Sequence, residues 1–265
     1  MKTITFLFIA FVWSWVWWFV GLHYIAGGLT DQNAKPFVNC LLAGIYGPTL
    51  SAIITSLSFG GMAGLGALLK KILLWKAPWY MYAVIVFLPL AFSGSAIGLY
   101  ALFKGNPGKF NTAGFAIIPV VLVAAIKAGP CGEEMGWRGF LLPEIQKRYS
   151  AVVSAIIVGV IWFAWHIPLF WAPIGTAVSG GPVTFESVSI FLVFVLCLSC
   201  IYTWLFNRSG GSLLMAILIH FSINVSLLML FFPQLAGEHS REITLFSLPA
   251  YVLVATFLVF RTGLK

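Results

Sequence analysis

Phe115-Ala-Ile-Ile-Pro-Val-Val-Leu-Val-Ala-Ala-Ile-Lys127 runs directly into Ala128-Gly-Pro-Cys-Gly-Glu133-Glu134-Met-Gly-Trp-Arg138-Gly139. An apolar helix-length run, a Gly-Pro break and two adjacent carboxylates follow one another with no polar linker between them. The whole chain has only 7 acidic residues in 265, and two of them sit here. Ionisable groups in apolar surroundings are costly, which makes them functional-site candidates. A helix restarting at Pro130 places Glu133 and Glu134 near its first turn, where the helix dipole favours negative charge. His166, His220 and Asn224 stand out in the same way, as polar residues inside hydrophobic segments.

Working outward, the composition matches a membrane setting. Hydrophobic residues make up 61%, charged residues 8%, and the mean hydropathy is +1.01. Soluble chains carry about 25% charge. The apolar runs reach the ~20 residues that a helix needs to cross a bilayer. The fold class is therefore all-α, a polytopic transmembrane helical bundle in one domain over residues 1–265, with a motif-bearing core at about 115–232.

The spans are placed at about Ile4–Ile25, Val38–Phe59, Trp79–Phe103, Phe115–Leu142, Ala151–Trp171, Ser187–Phe206, Ser212–Phe232 and Thr244–Phe260. That is about eight, with Phe115–Leu142 counted as one long, broken element. Gly60–Pro78 carries leucines at helical spacing together with Lys70, Lys71 and Lys76, and reads as an amphipathic helix lying in the interface. Gly94 and Gly98 offer a close-packing face. The Gln234–Glu242 segment is a polar link.

The formal charge of +8 reflects orientation better than a nucleic-acid partner, because the lysines and arginines fall between spans. With both termini cytoplasmic, eleven of the 15 basic residues lie inside and four outside. The partners expected are the lipid bilayer and a protein or peptide substrate. Cys197 and Cys200 have redox-pair spacing, but their uncharged apolar helix argues for inert thiols. His23, near an interface, and His239, in a polar link, read as bystanders.

Spacing organises the polar residues. Glu134 and Arg138 are four apart and can pair on one helix face, bracing the helix. Glu133 has Trp137 at the corresponding position, which leaves it free for chemistry. If the chain turns at Tyr149-Ser150, Glu133 lies sixteen residues before the turn and His166 sixteen after it, so the two share a depth in an antiparallel hairpin. His220 and Asn224 lie one turn apart on a later helix. Such a set could hold a metal or activate a water directly. Taken singly, each histidine also reads as a hydrogen-bond partner between helices, and Glu134–Arg138 as a structural ion pair.

At these residues the chain resembles the CPBP intramembrane protease family. That family includes the type II CAAX prenyl endopeptidases and relatives associated with bacteriocin processing or self-immunity. The matching motifs are Glu133-Glu134-Met-Gly-Trp-Arg138, Trp162-Phe-Ala-Trp-His166 and His220-Phe-Ser-Ile-Asn224, in that order. One departure is Trp162, where the family usually has Phe; it predicts a pocket wall of altered shape with the chemistry kept.

The resemblance implies an endopeptidase acting on a membrane-associated or lipidated, CAAX-like protein or peptide. Glu133 would activate water and His166 would help hold it. His220 and Asn224 would stabilise the oxyanion, with Glu134 and Arg138 as structural support. A divalent metal such as zinc, held by Glu133, His166, His220 and Asn224, is a second version of the same chemistry. Asn is an unusual zinc ligand, and His-Glu-x-x-His is absent. Two alternatives have different requirements. A catalytically silent immunity or scaffold protein would not need Glu133, and a proton-coupled transporter would show internal pseudo-symmetry.

Overall fold

The computed structural model describes residues 1–127, 129–176, 179–225, 230–232 and 240–265, with Ser240 and Arg241 described by backbone alone. His239, most of the Gln234–Glu242 link and part of the expected Ser212–Phe232 span lie outside the described residues. Among those described there is no strand. The helices are α1 (Lys2–Tyr24), α2 (Asp31–Ile45), α3 (Gly47–Lys70), α4 (Trp79–Lys104), α5 (Gly114–Lys127), α6 (Pro130–Glu134), α7 (Leu142–Gln146), α8 (Ala151–Trp165), α9 (Phe185–Arg208), α10 (Leu213–Val225) and α11 (Ser240–Thr262). A π-helical stretch, Met135–Leu141, joins α6 to α7, and 3-10 turns follow α3 and α8.

Among the described residues six elements are long and apolar enough to cross a membrane, and the shorter apolar helices α8 and α10 bring the total to the eight expected. Outward faces carry Phe8, Val16, Phe87, Val120 and Phe257, all exposed, whereas Glu133, Glu134, Arg138 and His220 are buried. Apolar outside and charged inside is the distribution that suits lipid. The chain is an integral membrane protein.

Several boundaries differ from the sequence expectation, each for a local reason. The second span begins at Asp31 rather than Val38, because Thr30 and Asn33 form a reciprocal cap. A polar first turn is thus helical before the residues become apolar. The expected interfacial helix Gly60–Pro78 is shorter. The chain turns at Gly61, whose positive φ of 58° suits glycine, and remains helical to Lys70. It then tightens into the 3-10 turn Lys71–Leu73 and leaves helical geometry before Pro78. α8 ends at Trp165 instead of Trp171, since Pro168 has no N–H to continue the ladder.

Both termini lie at one end of the bundle. Lys2, Lys71 and Glu144 line one small cavity there, and Asn207 Nδ2 donates to the Leu264 carbonyl at 2.8 Å. The Ser212 hydroxyl donates to the Leu74 carbonyl at the same end.

Two proline-freed carbonyls are satisfied from other elements. Pro48 cannot donate to Gly44, and the Ser14 hydroxyl donates there instead at 2.7 Å. Pro143 likewise has no N–H for Gly139, whose carbonyl accepts from Lys71 Nζ at 2.6 Å. α1 is further tied down by the indole N–H groups of Trp13, Trp18 and Trp15, which donate to the carbonyls of Ala43, Leu41 and Trp165.

Gly98, one of the two glycines of the expected packing face, does not meet another element closely. A Cβ on Gly98 would meet nothing within 4 Å. Gly132 and Gly136 instead press the α6 and π-helical backbone against the α2–α3 junction. A Cβ on Gly132 would lie 2.8 Å from the Ile45 carbonyl oxygen, and one on Gly136 2.6 Å from that of Pro48. Backbone cannot yield as a flexible side chain can, and overpacking costs about 1–3 kcal/mol or more. Gly136→Leu is expected to lower the thermal unfolding midpoint in detergent and the yield of monodisperse protein. Gly98→Leu should leave both unchanged.

Candidate active site

Glu134 holds the centre together. Its Oε1 accepts from Arg138 Nη1 at 3.1 Å and from His220 Nδ1 at 2.7 Å, with both Glu134 and Arg138 fully buried. The pairing with Arg138 was readable from the four-residue spacing and survives the π-helical turn between them. The bond to His220, from a helix 86 residues further along, was not readable. The Arg138 guanidinium lies against the rings of both Trp162 and Tyr202, at 4.6 and 4.8 Å from their centroids. Among the described residues its Nε and Nη2 have no hydrogen-bond acceptor, so ring faces take that place. Tyr202 had no sequence signal, because nothing in α9 separates it from an ordinary packed aromatic.

Glu133 is the neighbour that faces the other way. Trp162 Nε1 donates to its Oε2 at 2.6 Å, so Trp162 does more than wall the pocket. The other oxygen, Oε1, points to the bare face of Gly129. A Cβ on Gly129 would sit 3.0 Å from Asn224 Nδ2, 3.2 Å from Glu133 Oε1 and 3.4 Å from His220 Nε2. Three polar atoms from two helices thus converge on one small volume. Gly129 is suited to that place by its φ of 53° as well as by the space.

His166 lines the same cavity as these three groups. It caps α8, and its Nδ1 donates to the Trp162 carbonyl at 2.7 Å, which leaves Nε2 as the acceptor nitrogen. The hairpin was expected to set Glu133 level with His166; it brings both to one cavity wall, with Glu133 bonded to Trp162, one helical turn before His166 on the chain. Glu133, His166, His220 and Asn224 all line one cavity of about 420 Å³ whose remaining wall is mostly apolar, including Leu41, Phe191, Phe194 and Leu198. His23 is exposed at the end of α1, away from this cavity. Cys197 and Cys200 are buried free thiols.

Among the described residues no three His, Cys, Asp or Glu side chains are grouped to hold a metal ion. The Nδ1 bonds of the two histidines orient the rings and leave Nε2 of each as the other ring nitrogen. With Glu133 Oε1 and the Asn224 amide, the donors from residues lining the cavity are one carboxylate oxygen, two imidazole nitrogens and an amide, and an amide is not among the usual zinc ligands.

By class this is a polytopic helical membrane protein with a carboxylate–histidine–amide centre lining an apolar cavity. Residues 114–226 match the family described as Rce1-like, type II CAAX prenyl endopeptidase Rce1-like. A CAAX prenyl protease 2 of Methanococcus maripaludis is 29% identical over 129 residues, covering 47% of this chain and 47% of that protein. The chain therefore matches about half the length of this curated relative. The segment that carries the site is thus similar to the type II CAAX prenyl endopeptidases.

Removing one partner from a buried ion pair typically costs ~3–5 kcal/mol. Glu134→Gln is expected to lower the unfolding midpoint sharply, as read by thermal denaturation in detergent. Glu133→Gln should leave it unchanged, since a glutamine carbonyl can still accept from Trp162.

Proposed function

We propose that this protein is an intramembrane endopeptidase that hydrolyses a peptide bond of a membrane-associated or lipidated, CAAX-like protein or peptide. The observation that carries the reading is the convergence of Glu133 Oε1, His220 Nε2 and Asn224 Nδ2 on Gly129, in a largely apolar cavity. An apolar wall suits a lipidated or hydrophobic chain, and three polar atoms suit the cleavage of one amide.

In this mechanism Glu133 Oε1 takes a proton from a water whose oxygen bonds to the scissile carbonyl carbon. His166 Nε2, the acceptor nitrogen, helps to hold that water. The carbonyl oxygen becomes an oxyanion, and Asn224 Nδ2–H donates to it. His220 donates through Nε2 as the imidazolium, with the Glu134 carboxylate on Nδ1 as its counter-charge. The C–N bond then breaks, and the proton held by Glu133 passes to the leaving amine. A positioned general base typically contributes 10²–10⁴-fold and an oxyanion donor about 10²–10³-fold. The end that carries both termini is assigned to the cytoplasm, on the basic excess of the segments placed there.

The test compares new protein termini in native membranes containing wild type or Glu133→Gln. Termini produced by wild type should vanish in the variant, while Asn224→Ala should slow their appearance roughly 10²–10³-fold. Unchanged termini and cellular function with Glu133→Gln would favour a non-enzymatic scaffold or immunity role. Hydrolysis that persists in exhaustively chelated, metal-free protein is also expected; its loss, restored by zinc, would return the metal-bound version.

A further inference from the structure

Trp162 touches Glu133, Arg138, His220 and His166. Its indole N–H lies 2.6 Å from Glu133 Oε2, its ring covers the Arg138 guanidinium, and its edge meets His220 with centroids 5.6 Å apart. Its own carbonyl accepts from His166 Nδ1. The side chain is almost completely buried. Buried indole donors are not routinely matched in this protein. Among the described residues the N–H groups of Trp137, Trp165 and Trp204 have no acceptor. Buried Trp18 donates to a backbone carbonyl, whereas the acceptor of Trp162 is a carboxylate.

We propose that Trp162 is a positioning residue for Glu133. A carboxylate's two oxygens are chemically equivalent until something distinguishes them, and rotation about the last side-chain torsion exchanges them. The indole N–H removes that equivalence by occupying Oε2, so that Oε1 is the oxygen presented to Gly129, His220 Nε2 and Asn224 Nδ2. The same bond fixes the plane of the carboxylate, and with it the direction from which Oε1 accepts a proton. The inference rests on the assignment of Glu133 as the base. It predicts that shape alone at position 162 is insufficient, because the function lies in one N–H.

The experiment removes that N–H while keeping the ring. Trp162 is replaced by 3-benzothienylalanine, in which sulfur stands in for the indole nitrogen, and separately by Phe. Both are assayed beside Glu133→Gln in nanodiscs with an internally quenched farnesylated CAAX peptide. The isostere should lower kcat roughly 10- to 100-fold, as expected for a lost hydrogen bond to a charged acceptor. KM and the unfolding midpoint should stay at wild-type values, which a packing role would not produce. Wild-type kcat in the isostere beside a dead Glu133→Gln would overturn the role of Trp162 alone. Wild-type kcat in Glu133→Gln would overturn the base assignment and this inference with it. A second arm needs no substrate. The Trp162 indole ¹⁵N–¹H resonance, assigned by its loss in Trp162→Phe, should move upfield in Glu133→Ala. An unmoved resonance would show that the contact does not exist in solution.

Discussion

A buried carboxylate in a membrane interior must be matched by positive charge and hydrogen-bond donors, or it cannot remain charged. Glu134 meets that demand with Arg138 on its own chain segment and His220 from α10. Its one oxygen, Oε1, thereby fixes the relation between two elements that carry the site. Arg138 extends the clasp through its guanidinium faces to Trp162 on α8 and Tyr202 on α9. Four elements are thus referred to a single carboxylate, and the position of Glu133 follows from that frame.

The same logic governs the backbone. Without water nearby, each carbonyl left unpaired by proline needs a donor from elsewhere. Ser14 supplies one to Gly44, and Lys71 supplies one to Gly139. Thr49 Oγ1 adds a bond to the Cys131 carbonyl at 2.9 Å, beside the break that precedes the two glutamates. Irregular backbone near the site is held from three directions, by α1, by α3 and by the turn that follows α3. Such holding is what a preorganised centre requires.

Much of this was legible in the sequence because it depends on local spacing or bulk composition. The eight apolar elements, the Glu134–Arg138 pair and the identity of the polar residues are of that kind. What escaped was set by contacts between distant segments. No periodicity links Glu134 to His220, and none tells that Gly132 and Gly136, rather than Gly98, meet another backbone. Lys71 reads as an interfacial charge until the carbonyl freed by Pro143 is seen beside it. Trp162 was visible as a bulky aromatic, but its N–H could be assigned only once the hairpin register was known.

The π-helical stretch also bears on how this sequence can change by insertion and deletion. Residues before Met135 are phased against those after Leu141 by the wide turn between them. Each residue of an α-helix rotates the chain by about 100°. Because a π-helical turn holds more residues than an α-helical one, loss of one residue from the seven in this stretch is taken up by tightening it to α-helical pitch, with little change in phase between the two glutamates and α7. Loss of a residue on either side of the stretch has no such outlet and would rotate Glu133 from Gly129 and Glu134 from His220 by about 100°. The wide turn is therefore a place where this segment tolerates a change in length.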